Sequence, residues 1–164
     1  MDRRTCKVKH LGGHQKDGPA FSQKCQVNFI TFCCVLLPRE VIEQVGYLDE
    51  SLFMYCEDVE YCIRLAEAGV EMWYLPDARL WHKAGGTAGG ALSMYYITRN
   101  TLRLVYADAP RWRQIAAGMC ELIPGALRYA GTRLLGRPKG RSYGIYKGAL
   151  DFLQGRKEND GIST

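Results

Sequence analysis

Two carboxylates stand side by side at Glu57 and Asp58, directly after the apolar and aromatic run Leu52 to Cys56. Adjacent acids behind a segment fit for burial have a catalytic reading. A plainer reason is also sufficient. From Asp58 to Ala68 the apolar residues Val59, Cys62, Ile63 and Ala66 recur at i, i+3, i+4 and i+7, which predicts an amphipathic helix with Glu60 and Arg64 paired on its wet side. Acids in the first turn of such a helix are favoured by its dipole and free N–H groups, which hold them ionised.

Three further groups have chemistry to offer. His82 closes an apolar stretch ahead of "KAGGTAGG", where the plain reading is a strand-end histidine bonded to backbone. Arg99 and Asn100 are adjacent in a helical run, where the plain reading is a pair on a helix surface. His10 and His14 are four apart, but Gly12 and Gly13 between them oppose the helix that would align them.

The elements that must position these groups follow from pattern. Residues 1–24 are basic and turn-rich, a loop; "VNFITFCCVLL" is β-branched and aromatic without alternation, which predicts a central strand buried on both faces. "PREVIEQVG" predicts a short helix with Pro38 at its first position and Gly46 at its end. "VEMWYLP" and "ARLWH" predict two short strands, and "KAGGTAGGALS" a mobile loop. Helices are expected from about Met94 to Tyr106, from about Arg111 until Pro124 kinks or stops it, and from about Tyr143 to Leu153.

Composition sets the frame. The 164 residues, with 47% apolar and 24% charged content, suit one globular domain or most of one. Charge is uneven: residues 99–157 carry 12 basic against 3 acidic side chains, whereas residues 1–98 carry 10 against 12. A basic segment of this kind faces phosphate, anionic lipid or nucleic acid. The 7 cysteines form no C-x-x-C pair, and no signal-type or membrane-spanning run is present, so reduced thiols in the cytoplasm are expected.

"FITFCCVLLPREVIEQVGYLDESLFMYCEDVEYCIRLAEAGVEMWYLPDARLWHKAGG" and the later "YYITRN" resemble, in order and spacing, the C-terminal half of family 2 glycosyltransferases, particularly their rhamnosyltransferase-like branch. The resemblance runs from about Val27 to Asn100 and continues weakly to "KGALDFLQGR". It implies an α/β fold, the C-terminal part of a nucleotide-diphospho-sugar transferase sandwich of GT-A type, followed by amphipathic helices. It implies inverting transfer of a sugar from a nucleotide diphosphate to an acceptor hydroxyl, with a lipid-linked acceptor among the candidates. By resemblance Asp58 is the base and Glu57 orients it or the acceptor. Arg99 and Asn100 meet substrate, and Phe53 and Tyr55 form the aromatic wall beside it. His82 completes the coordination of a divalent cation, Mg or Mn, which offsets charge on the leaving diphosphate.

The division implied is a loop at 1–24, an acceptor-side half at 25–106, a basic amphipathic helical tail at 107–157 and a disordered end at 158–164. The family's nucleotide-binding strands and Asp-x-Asp motif are not found, Glu60 stands where Asp is frequent, and the processive Gln-x-x-Arg-Trp motif is absent. The chain is therefore expected to be a truncated product, a fragment or one half of a split enzyme, inactive alone and completed by an N-terminal half in cis or trans. A location in the cytoplasm, peripheral at the membrane, would suit the basic tail. The reading from another class is a non-catalytic membrane-surface or nucleic-acid-binding module; with no recognised nucleic-acid motif, no nucleic-acid partner is expected.

Overall fold

Cys25–Val27 (β1) pairs antiparallel with Met72–Tyr74 (β2), with Cys25 opposite Tyr74, Gln26 opposite Trp73 and Val27 opposite Met72. Side chains alternate across such a pair, and here Gln26 and Trp73 face water while Val27 and Met72 face inward. The computed structural model describes residues 1–2, 5–82, 90–136 and 140–156. Residues 83–89, the body of the expected mobile loop, and the expected disordered end at 158–164 lie outside the described residues. The chain divides into two compact units, Met1–Asp49 with Glu57–Lys83, and Glu50–Cys56 with Ala84–Thr164.

In the first unit, α1 (Arg39–Val45) and α2 (Glu57–Glu67) accompany the two strands. Pro38 is the residue capping α1 rather than its first member, and Gly46 ends the helix with φ 87°, where a Cβ would be strained. The core gathers Tyr61, Cys62 and Leu65 of α2 with Met72 of β2, and Phe29, Ile30, Phe32 and Val41 pack against it. The face of α2 that is buried is thus Val59, Tyr61, Cys62 and Leu65; Ala66 is exposed and Ile63 only half-buried. Glu60 and Arg64 do pair, at 2.6 Å, but in a half-buried position where Arg64 also donates to the carbonyls of Val45 and Tyr47.

The predicted central strand is not formed. Of "VNFITFCCVLL" only Val27 belongs to a strand, while Cys33, Cys34 and Leu36 are exposed. The physical reason is local: β2 is three residues long, and the backbone of Ile30 turns instead to the Cys62 thiol, its N–H donating at 3.4 Å and its carbonyl accepting at 3.6 Å. Aromatic side chains dock this extended segment onto α2 without a ladder. "ARLWH" is not a strand either, and Leu80 and Trp81 project into solvent.

The second unit is helical among the described residues: α3 (Ala91–Val105), α4 (Arg111–Leu134) and α5 (Arg141–Leu153). Pro124 does not stop α4, which continues ten residues past it. Cys120, whose carbonyl loses its donor, lies with Pro124 on the exposed side, where water can take that hydrogen bond. α5 packs most closely on α3, because Gly144 and Gly148 let the backbones approach. A Cβ at Gly148 would lie 2.5 Å from the Tyr95 carbonyl oxygen, and one at Gly144 would lie 2.2 Å from that of Ala91. Glycine in a helix interior costs about 1 kcal/mol relative to alanine, so its presence twice, four residues apart, reflects this contact.

Gly148→Ala should therefore destabilise the protein by roughly 3 kcal/mol, because the obstructing atom is backbone and cannot swing aside. Gly131→Ala on α4, where nothing lies within 4 Å, should instead be neutral or stabilising by up to about 1 kcal/mol. Urea denaturation of the two variants checks the pair of opposite signs.

Candidate active site

The short turn Glu50–Leu52 leads into a segment whose backbone is unusual for its residue types. Phe53, Tyr55 and Cys56 have φ of 58°, 62° and 70°, the left-handed region that side chains with a Cβ seldom adopt. Each such residue costs on the order of 1 kcal/mol and persists only where its surroundings impose it.

Arg99 and Asn100 impose it. Both are fully buried, at 0% exposure, in the middle of α3. The Asn100 amide nitrogen donates to the carbonyls of Leu52, Met54 and Tyr55 at 3.0, 2.9 and 2.8 Å. Arg99 donates through Nη2 to the carbonyls of Ser51 and Leu52, and through Nε to Asn100 Oδ1 at 3.0 Å, which fixes the orientation of the amide. Arg103 adds bonds to the Ser51 carbonyl and hydroxyl. The segment is held by its carbonyls, while Phe53 is exposed, its ring 5.4 Å from that of Tyr96, and Tyr55 is half-buried against the Tyr95 and Tyr96 cluster.

A buried guanidinium needs compensation. Arg99 lies over the rings of Tyr95 and Tyr96 at 5.3 and 5.0 Å, and its Nη1 reaches the Tyr95 hydroxyl. That hydroxyl donates to Asp151 Oδ2 at 2.9 Å, and Asp151 is paired in turn with Lys147 at 2.6 Å. Burial, followed by the Asp151 carboxylate, pushes the Tyr95 phenol up to about 12, so it stays a donor. Tyr95 and Asp151 are the members of this arrangement that sequence reasoning missed. The signal was present only indirectly, in the Gly144 and Gly148 spacing that brings α5 against Tyr95.

Glu57 and Asp58 open α2, as the sequence predicts. Asp58 Oδ1 accepts from the Val59 N–H at 2.8 Å, and the Phe32 N–H, His10 and the backbone favour its charged form as well. Burial outweighs them and pushes its carboxyl above the ordinary range, the reverse of the expected tight hold on the ionised form. Glu57 Oε2 is buried with no hydrogen-bond donor among the described residues, an oxygen suited to receive a bond from a hydroxyl group. His82 lies in the same unit, exposed, at the edge of the described residues. No group of three or more His, Cys, Asp or Glu side chains able to hold a metal ion occurs among the described residues. These side chains do not build a cation site by themselves. Phe53, Tyr55, Arg99 and Asn100 fall in the other unit, whose chain joins this one at Cys56 and Glu57.

The sign of the Asp58 shift has a measurable consequence. A carboxyl raised on folding contributes stability that is fully present below its unfolded value, about 3.9, and is lost as pH rises through the folded value. Asp58→Asn carries no charge to bury, so at neutral pH it should match or exceed the wild type in stability, and the comparison should turn against it as pH falls through the raised folded value toward about 4 and level off below. Urea titrations across that range check it; a pH-independent difference would contradict the shift.

Comparison with known proteins adds an independent line. Residues 11–107, more than half of the chain, match the family described as glycosyltransferase like family 2. An N-acetylglucosaminyl-diphospho-decaprenol L-rhamnosyltransferase of Mycobacterium tuberculosis is 44% identical over 62 residues, 37% of this chain and 20% of the relative. The dTDP-rhamnosyl transferase RfbF of Shigella flexneri is 30% identical over 81 residues, 49% of this chain and 27% of the relative. The galactofuranosyltransferase GlfT2 of M. tuberculosis is 31% identical over 108 residues, 65% of this chain and 16% of the relative. The matches thus span between about a sixth and a quarter of these relatives' lengths, and no solved structure matches. Membership implies a nucleotide-diphospho-sugar transferase fold, to which the described residues contribute helices and two short strands. With the acid pair, the clamped segment and "YYITRN" all inside the matched stretch, the chain belongs to the family 2 glycosyltransferases.

Proposed function

We propose that this chain supplies the acceptor side of an inverting glycosyltransferase that moves a sugar from a nucleotide diphosphate to a hydroxyl group. Its acceptor-side half spans residues 25–106 of a GT-A type sandwich, with the basic helical segment 107–157 following. The acid pair carries this reading: two adjacent carboxylates at one helix start, Asp58 with its proton affinity raised by burial and Glu57 with a buried oxygen that has no donor among the described residues.

In the transfer, the acceptor oxygen forms a bond to the anomeric carbon as the bond from that carbon to the diphosphate breaks, and the hydroxyl proton passes to Asp58. A base works best when its pKa lies nearer the operating pH, so burial improves Asp58 for this task. Glu57 accepts a hydrogen bond that orients the acceptor. Phe53, which is exposed, and Tyr55, which is half-buried, offer aromatic faces to a sugar ring, and Arg99 and Asn100 serve substrate by fixing the backbone that carries them. Enzymes of this family generally use a divalent cation, Mg or Mn, which offsets charge on the departing diphosphate. His82 would offer one imidazole to it, the other ligands lying outside the described residues.

Rhamnose is the first donor sugar to test, since two of the relatives are named as rhamnosyltransferases. A polyprenyl diphosphate-linked sugar is the first acceptor, from the name of one of them. Such an acceptor places the work at the cytoplasmic membrane face, in cell-surface polysaccharide or glycolipid synthesis. No helix among the described residues is long and apolar enough to cross a membrane.

The test uses a complete enzyme in which this chain follows a donor-binding half of the family. Asp58→Asn preserves size but removes the basic oxygen, so kcat should fall by about 10²- to 10⁴-fold with donor affinity little changed. Glu57→Gln should cost less. If Asp58 merely caps the helix, asparagine serves nearly as well and turnover stays near normal, which would sink the assignment.

A further inference from the structure

We propose that α4 lies on an anionic membrane surface and inserts one face into it. At 100° per residue, Trp112, Ile115, Met119, Ile123, Leu127 and Leu134 fall within an arc of about 120° along the helix. All six are solvent-exposed, from 37% at Met119 to 89% at Leu134. The packing side is elsewhere on the helix: Gly118 meets Leu153 and Phe152, and Gly125 meets Tyr146. A continuous apolar stripe on a helix whose opposite flank is already packed has an interface to form.

Charge decides the occupant. α4 carries Arg111, Arg113, Arg128 and Arg133 against one acid, Glu121, and on the same wheel Glu121 sits opposite the stripe. Arg113 borders one edge of the stripe and Arg133 the other, while Arg111 turns to the packed side and donates to the Leu153 carbonyl. A second copy would bring like charges together around the same stripe, whereas phosphate headgroups beside buried acyl chains satisfy both features. Trp112 at the start of the helix is suited to the headgroup level. The helix is not apolar enough to cross the bilayer, so it lies in the plane, over about 36 Å.

The inference deepens the lipid-linked acceptor of the proposed function but takes nothing from it as an argument, and its test is independent of sugar transfer. The full chain is floated with phosphatidylcholine vesicles with and without phosphatidylglycerol. Binding should require the anionic lipid and weaken as salt rises. Ile123→Glu with Leu127→Glu should reduce partitioning by about tenfold or more, with far-UV circular dichroism unchanged because both residues are exposed. Bromine-labelled lipids should quench a fluorescence component that Trp112→Phe removes, a readout that does not depend on the double variant folding. Absence of binding at low salt, binding unaffected by the double substitution, or an unquenched Trp112 would each overturn the proposal. So would a concentration-dependent dimer in sedimentation that the same substitutions abolish, because the stripe would then be filled by a second copy.

Discussion

One amide, that of Asn100, holds the backbone on which the candidate acceptor wall is built. Its nitrogen donates to three carbonyls within four residues, and Arg99 locks its oxygen. An extended strand would satisfy those carbonyls with a ladder, and a helix with its own N–H groups. The segment's own N–H groups reach the Glu50 and Leu52 carbonyls, and the Met54 and Tyr55 carbonyls take hydrogen bonds from a buried side chain. The cost of burying Arg99 beside them is offset by two aromatic faces and by a chain of bonds through Tyr95 to Asp151 and Lys147. Gly144 and Gly148 make that chain possible, because only glycine lets α5 come near enough for Asp151 to reach the Tyr95 hydroxyl. Packing of two helices and polar satisfaction of one loop are thus a single requirement.

The acid pair shows a different balance. First-turn N–H groups should hold a carboxylate ionised, and at Asp58 they do act in that direction, but the surrounding apolar segment, with Phe32 packed into the unit core, removes more water than they replace. A structural cap has no use for this, since a capping carboxylate is most effective when charged. A base does have a use for it, because raised proton affinity is what proton transfer needs.

How much of this was legible in the sequence varied with how local the cause was. The helix from Glu57 announced itself through period and first-turn acids, and the positions of Glu57 and Asp58 followed. The resemblance to the family was carried by the order of short motifs and is supported by the match over residues 11–107. The central strand was not legible: apolar type indicates burial, but whether Phe29, Ile30 and Phe32 pair in a ladder or dock by their side chains depends on a partner backbone, and Ile30 found a thiol instead. The occupation of Arg99 and Asn100 was equally hidden. "RN" in a helix reads as surface or substrate contact, and only the tertiary placement of residues 51–55 reveals it as a clamp. Left-handed phenylalanine and tyrosine have no sequence signal at all, because no residue type encodes them.

Hydrogen exchange at the clamped segment tests the central claim most directly. The N–H groups of Phe53 and Met54 are bonded to the carbonyls of Glu50 and Leu52, so in the wild type they should be protected despite the exposure of the Phe53 ring. In Asn100→Ala, the Met54 and Tyr55 carbonyls lose the Asn100 amide and the Leu52 carbonyl loses one of its three donors, at a cost of about 2 kcal/mol or more, and protection of the Phe53 and Met54 amides should fall roughly 30-fold or further. Amides of β1 and α2 should keep theirs. If Phe53 and Met54 retain wild-type protection in Asn100→Ala, the segment holds its own conformation and the clamp is not its cause.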